Sequence, residues 1–204
     1  GDTFQKVIID ANRNLTVDEV RLGTLVNNFF YGSLGVSATK GYTMGGITSP
    51  SSTRNTIDDF PFASDANASD VGDTTSVIHF QSGQSSLSHG YSSGGSTGTP
   101  SSHTLVNIIQ RIPFSEDANA TDVGDLTVSR RGLAGNSSRS NGYATSGYID
   151  PSATWQNVID KFPFASDTTN SSDVGDLTQA RSFSAGTSGE THGYTAGGYA
   201  PAGN

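Results

Sequence analysis

The chain has 204 residues, of which 32% are apolar and 25 are glycine, so a large continuous core is excluded in favour of short layered elements. Its formal charge of −8 argues against DNA or RNA as the main partner, since that affinity rests on Lys and Arg neutralising phosphates. The absence of cysteine excludes disulfides and thiol chemistry, and no apolar run approaches the roughly 20 residues of a spanning helix. With no secretion-signal pattern at its start, the chain is expected to be soluble and not inserted in a membrane.

In chain order, Leu15 to Phe30 is the best helical candidate, yet its apolar residues do not hold one 3.6-residue face for long. From there the sequence repeats. Gly-Tyr pairs begin at Gly41, Gly90, Gly142 and Gly193, spaced by 49, 52 and 51 residues. Phe/Ile-Pro-Phe triplets begin at Phe60, Ile112 and Phe162, and Asp-Val-Gly-Asp quartets at Asp70, Asp122 and Asp173. A period of this length marks a repeat architecture, here one domain over 1–204 with units of approximately 1–46, 47–95, 96–148 and 149–204. The first unit is degenerate: Ile9-Asp10 stands where Ile57-Asp58 and Ile159-Asp160 stand later, without the Pro-Phe and quartet marks.

Each unit offers three or four strand signals bounded by Gly, Ser, Asn and Asp, the pattern of an all-β protein. One strand centres on Ile57 to Phe62, Ile109 to Phe114 and Ile159 to Phe164; its proline removes a ladder donor and places it at a sheet edge or a strand end. A polar Asx loop follows, then a turn at the quartet, a further strand, a Gly/Ser-rich bend and the strand ending at Gly-Tyr. The positions of Phe29, Ile78, Arg130 and Arg181 each precede Tyr42, Tyr91, Tyr143 and Tyr194 by 13 residues, a spacing that predicts a hairpin. Ile9, Ile57, Ile109 and Ile159 are expected to pack between adjacent sheets. Joined end to end, Tyr199 to Asn204 and Gly1 to Ile8 read as one more inter-unit segment, so the first and last strands are expected to share a sheet, hiding an edge.

These residues resemble the kelch repeat of β-propellers. Gly193-Tyr-Thr-Ala-Gly-Gly198 matches the Tyr and diglycine, Val158 to Phe162 matches the strand that follows, and Leu126 with Arg130, like Leu177 with Arg181, matches the turn into the next blade. The blade Trp is absent, its place falling near Thr121 or Ser172, and Tyr143 is followed by Gly147-Tyr148 in place of diglycine. The resemblance implies a small β-propeller of four kelch-like blades, about 51 residues each, closed by N- and C-terminal strands. A three-repeat β-prism or trefoil-like domain after an N-terminal attachment segment is the alternative. The wording FPFASDANA, DVGDLT and GYTxGG is also similar to repeats in structural proteins of marine tailed phages of the cyanophage type, which implies a virion location.

Asp65, Asn67, Asp70 and Asp73, echoed by Asp117, Asn119, Asp122 and Asp125, space oxygen ligands as calcium loops do. The third copy, Asp167, Asn170, Asp173 and Asp176, carries an inserted residue that a ligand cage would resist and that Asx turns tolerate, so turn chemistry is the stronger expectation and no metal or cofactor is assigned. His89 and His192 alternate with Lys40 and Asn141 before Gly-Tyr and read as surface turns. Arg130 and Arg181 are expected to bond backbone carbonyls or Asp side chains of a neighbouring unit. The variable inter-unit segments hold Arg54, His103 and Trp155, the candidate ligand or interface residues, Trp155 as an interface anchor or a sugar platform. With no nucleophile-elbow motif, a non-enzymatic virion protein (capsid decoration or tail component) is expected, its partners other virion proteins or copies of itself. The alternative is a carbohydrate-binding module for host-surface glycans.

Overall fold

The computed structural model describes residues 39–48, 52–99, 101–152 and 154–200. Ile9, Phe29, the Leu15 to Phe30 candidate helix or attachment segment, and the N-terminal half of the expected strand closure lie outside the described residues. Among those described every element is a strand and none is a helix, so no helix is long and apolar enough to cross a membrane.

In order the strands are β1 (Lys40–Thr48), β2 (Ser52–Pro61), β3 (Ser69–Asp73), β4 (Ile78–His79), β5 (Ser82–Ser85), β6 (His89–Ser93), β7 (Ser96–Thr99) and β8 (Ser102–Leu105). They continue as β9 (Ile108–Pro113), β10 (Thr121–Asp125), β11 (Ala134–Ser137), β12 (Asn141–Thr145), β13 (Tyr148–Ile149), β14 (Thr154–Pro163), β15 (Ser172–Arg181), β16 (Ala185–Ser188) and β17 (Gly193–Ala196). All pairings are antiparallel.

One module recurs. The spacing-predicted hairpin (β5–β6, β11–β12, β16–β17) is joined by the Ile strand of the next unit, and the quartet strand pairs on its far side. Two such four-stranded meanders are complete, β5-β6-β9-β10 and β11-β12-β14-β15; β1-β2-β3 is part of the one before and β16–β17 begins the one after. The register is shared: Gly41 faces Phe60, Gly90 faces Ile112 and Gly142 faces Phe162. Pro61, Pro113 and Pro163 are the last residues of their strands, where a missing donor costs no ladder bond.

The quartets correct the sequence reading. Asp-Val-Gly-Asp is a strand, not the turn before one, because its central glycine (φ 156°, 149° and 147° at Gly72, Gly124 and Gly175) carries the backbone across a bulge that keeps it on the ladder.

The core lies between meanders. Ile57, Ile112 and Ala120 fill one interface with Tyr42, Met44 and Val71 around them, and Tyr91, Ile109, Val123, Leu126, Leu133, Ala144 and Phe162 fill the next. Ile57 and Ile109 are fully buried, as expected, and each such side chain contributes about 1.5–3 kcal/mol; Ile159 is only half-buried. At the hairpins the backbones themselves touch. A Cβ at Gly135 would lie 2.0 Å from the Gly83 carbonyl oxygen, and one at Gly186 would lie 2.1 Å from that of Gly135. Ser137 Oγ accepts from the Ser85 amide and Ser188 Oγ from the Ser137 amide, while Gln84 and Asn136 donate to the carbonyls of Tyr143 and Tyr194.

Candidate functional site

The inter-unit segments converge from one unit to the next. β4 carries His79 and pairs with β7, whose hairpin partner β8 carries His103. Arg131 exchanges backbone hydrogen bonds with Tyr148, which brings Asp150, two residues on, beside the Arg131 guanidinium. Asp150 Oδ2 lies 2.7 Å from Arg131 Nε and 3.1 Å from His103 Nε2. One carboxylate thus faces two cationic or potentially cationic groups across three segments distant in sequence.

His79 sits behind them, 1% exposed, with neither ring nitrogen hydrogen-bonded among the described residues. Burial, with His103 and Arg131 nearby, holds its pKa below the ordinary histidine value, which keeps the ring neutral.

Aromatic rings continue the cluster to the surface. Phe183 meets Phe80 edge-on at 5.6 Å, the Arg131 guanidinium lies 5.4 Å from the Phe80 centroid and 5.8 Å from that of Tyr148, and Trp155 touches both Tyr148 and Tyr199. Phe80, Phe183 and Tyr199 are exposed; Trp155 is half-buried with its indole N–H enclosed and unpaired among the described residues. Phe80 (φ 60°) and Phe183 (φ 55°) hold the left-handed conformation that Gly132 (φ 67°) takes at the same place in the intervening unit. An aromatic residue there costs of order 1–2 kcal/mol, strain that is stored where the rings are displayed.

Of the residues singled out from sequence, His103 and Trp155 belong to this cluster, while Arg54 is exposed on β2 opposite Gly46 and no described ion pair joins it to them. His79, Phe80, Arg131, Tyr148, Asp150, Phe183 and Tyr199 are not singled out by the sequence because the residue type changes from unit to unit at their positions; Tyr148 and Tyr199, both directly after the diglycine slot, were the available signal. His89 and His192 bond the preceding hydroxyl, Ser88 and Thr191, as turn residues.

Five of the Asx residues spend an oxygen on backbone, while Asp167 pairs with the Arg111 guanidinium. Asp70, Asp122 and Asp173 accept from the amides of Gly72, Gly124 and Gly175, while Asn119 and Asn170 reach into the preceding meander to accept from the amides of Asp73 and Asp125. Asp65, Asn67 and Asp117 lie in the exposed loops between these strands. Among the described residues no group of three or more His, Asp or Glu side chains converges as a metal site would require. Neither a protein-family model nor a curated protein matches the chain.

Proposed function

We propose that the chain is a non-enzymatic structural protein of a phage virion, a capsid decoration or tail component, whose repeats are kelch-like propeller blades presenting one aromatic face for protein–protein contacts. The observation that carries the contact reading is the strip Phe183, Phe80, Arg131, Tyr148, Trp155 and Tyr199, since exposed aromatics around an arginine are the composition of contact hot spots. Gly132 takes the same left-handed conformation at the equivalent place, so the backbone there does not itself call for the rings of Phe80 and Phe183. The virion assignment rests on the resemblance of the repeat wording. Mass spectrometry of purified particles from a phage carrying this sequence tests it: stoichiometric recovery with the particle supports the assignment, and recovery only in the free fraction overturns it.

A glycan-binding module is the second reading, favoured by exposed Tyr199 beside Trp155. It has the weaker support, because Trp155 is wedged between Tyr148 and Tyr199 and not free to stack on a sugar. A glycan array probed with the wild type and with Tyr199→Ala separates the two: glycan binding lost in the variant supports this reading. Closing the blades into a ring of four requires the Ile9-Asp10 strand to pair with β17, and the repeats themselves set what that edge demands.

A further inference from the structure

The last quartet strand and the last hairpin display groups whose equivalents one or two repeats earlier are buried. Val123 is 6% exposed and its equivalent Val174 51%; Tyr91 is 2% exposed and its equivalent Tyr194 57%. Among the described residues β17 pairs only with β16, whereas β6 and β12 each carry an Ile strand on their other edge.

The requirements of that edge can be read from the complete meander. Asp160, one residue after Ile159, is fully buried and receives Arg130 Nη1 at 2.8 Å, Thr127 Oγ1 at 2.7 Å and the Thr127 amide at 3.2 Å. Arg130 is aimed by the carbonyls of Ser146 and Val128. Arg181 is aimed by the matching carbonyls of Gly197 and Gln179, and Thr178 stands where Thr127 does, but among the described residues no carboxylate meets them. In the earlier meander the arginine position is Ile78, and there the acid is replaced by Gln110, whose oxygen accepts from Thr75. In the two complete meanders the charge is present on both strands or on neither.

Three further contacts complete the pattern. A side chain three residues after the Ile lies beneath the glycine of Gly-Tyr, as Phe60 does at Gly41, Ile112 at Gly90 and Phe162 at Gly142. A ring five residues after the Ile stacks on the tyrosine of the preceding meander, Phe114 on Tyr42 at 5.2 Å and Phe164 on Tyr91 at 4.8 Å; Tyr143 has no such ring among the described residues. The following loop seats its backbone on the quartet glycine, where a Cβ at Gly72 or Gly124 would strike Ala118 or Thr169, while one at Gly175 would meet nothing described within 4 Å.

We infer that the β17 edge, with Thr178, Arg181, Tyr143 and Gly175, is a docking surface for a strand and loop of the class Ile-Asp-x-Phe-Pro-Phe followed by an Asn loop, contributed by a further repeat of this kind. By sequence, Ile9-Asp10 shares the acid of this class but has Asn12 and Asn14 at the two apolar positions, so the class as a whole is matched by a further repeat and not by this segment or its equivalent on a second copy. The inference holds whether or not the scaffold belongs to a virion.

The test titrates the full chain into a fluorescein-labelled peptide of the sequence Asn157–Ser171 and follows anisotropy. Saturable binding below ~1 mM is expected, weakened at least ~10-fold by Asp160→Asn in the peptide and by Arg181→Ala or Thr178→Val in the chain. No saturable binding in that range, or binding indifferent to all three changes, overturns the proposal. Binding that appears only in an Ile9→Pro chain also overturns it, since the chain's own N-terminal strand would then hold the edge and close the ring.

Discussion

Arg130 and Asp160 are both fully buried, and the neighbouring repeat fills the same two places with Ile78 and Gln110. Removing one partner leaves an uncompensated buried charge, so Asp160→Asn and Arg130→Ile alone are each expected to lower unfolding free energy by about 3–5 kcal/mol. The double change Arg130→Ile with Asp160→Gln installs the pair already used one repeat earlier and is expected to recover most of that loss; urea denaturation of the three variants checks it. His79 gives a pH dependence of known sign. Its folded pKa lies below the unfolded value, near 6.5, so the unfolded chain binds the proton more readily and the stability His79 contributes is present above about pH 6.5 and lost as pH falls below it. His89 shifts in the same direction, chiefly by burial and with Arg111 adding to it, so His79→Leu is expected to reduce the fall in urea midpoint between pH 7.5 and 5.5 without abolishing it.

At the scale of elements, the hairpins were legible because a constant 13-residue spacing survived changes at nearly every position within it, and the proline strand ends followed from the missing N–H. The quartet strands were not, since Asp and Gly are poor strand residues and it is the bulge at the glycine that keeps them in the sheet. The candidate site was half legible: His103 and Trp155 stood out as unusual side chains in variable segments, but what joins them runs through Arg131, Tyr148 and Asp150, brought together by tertiary pairing that no local pattern announces. The glycine column makes its own prediction. Gly135→Ala would drive a methyl into the Gly83 carbonyl and separate two sheets, with an expected loss above about 3 kcal/mol, whereas Gly189→Ala, whose nearest neighbour would be 3.6 Å away, is expected to change stability by less than about 1 kcal/mol; thermal unfolding distinguishes them.

For the whole molecule, the repeats build a stack in which glycine contacts and stacked rings are reproduced from one interface to the next, while positions whose residue type changes between units gather an aromatic face. Separation of the two roles is the central claim. Phe183 tests it most directly, since it is displayed, strained and replaceable by the glycine found at the equivalent place. Phe183→Gly relieves left-handed strain as it gives up the edge contact with Phe80, so unfolding free energy is expected to stay within about 1 kcal/mol of the parent. The decisive measurement is cosedimentation of the wild type and Phe183→Gly, each confirmed folded, with particles lacking the chain. The wild type is expected to pellet with the particles and the variant to remain in the supernatant; equal recovery of both in the pellet would contradict the assignment of contacts to this face.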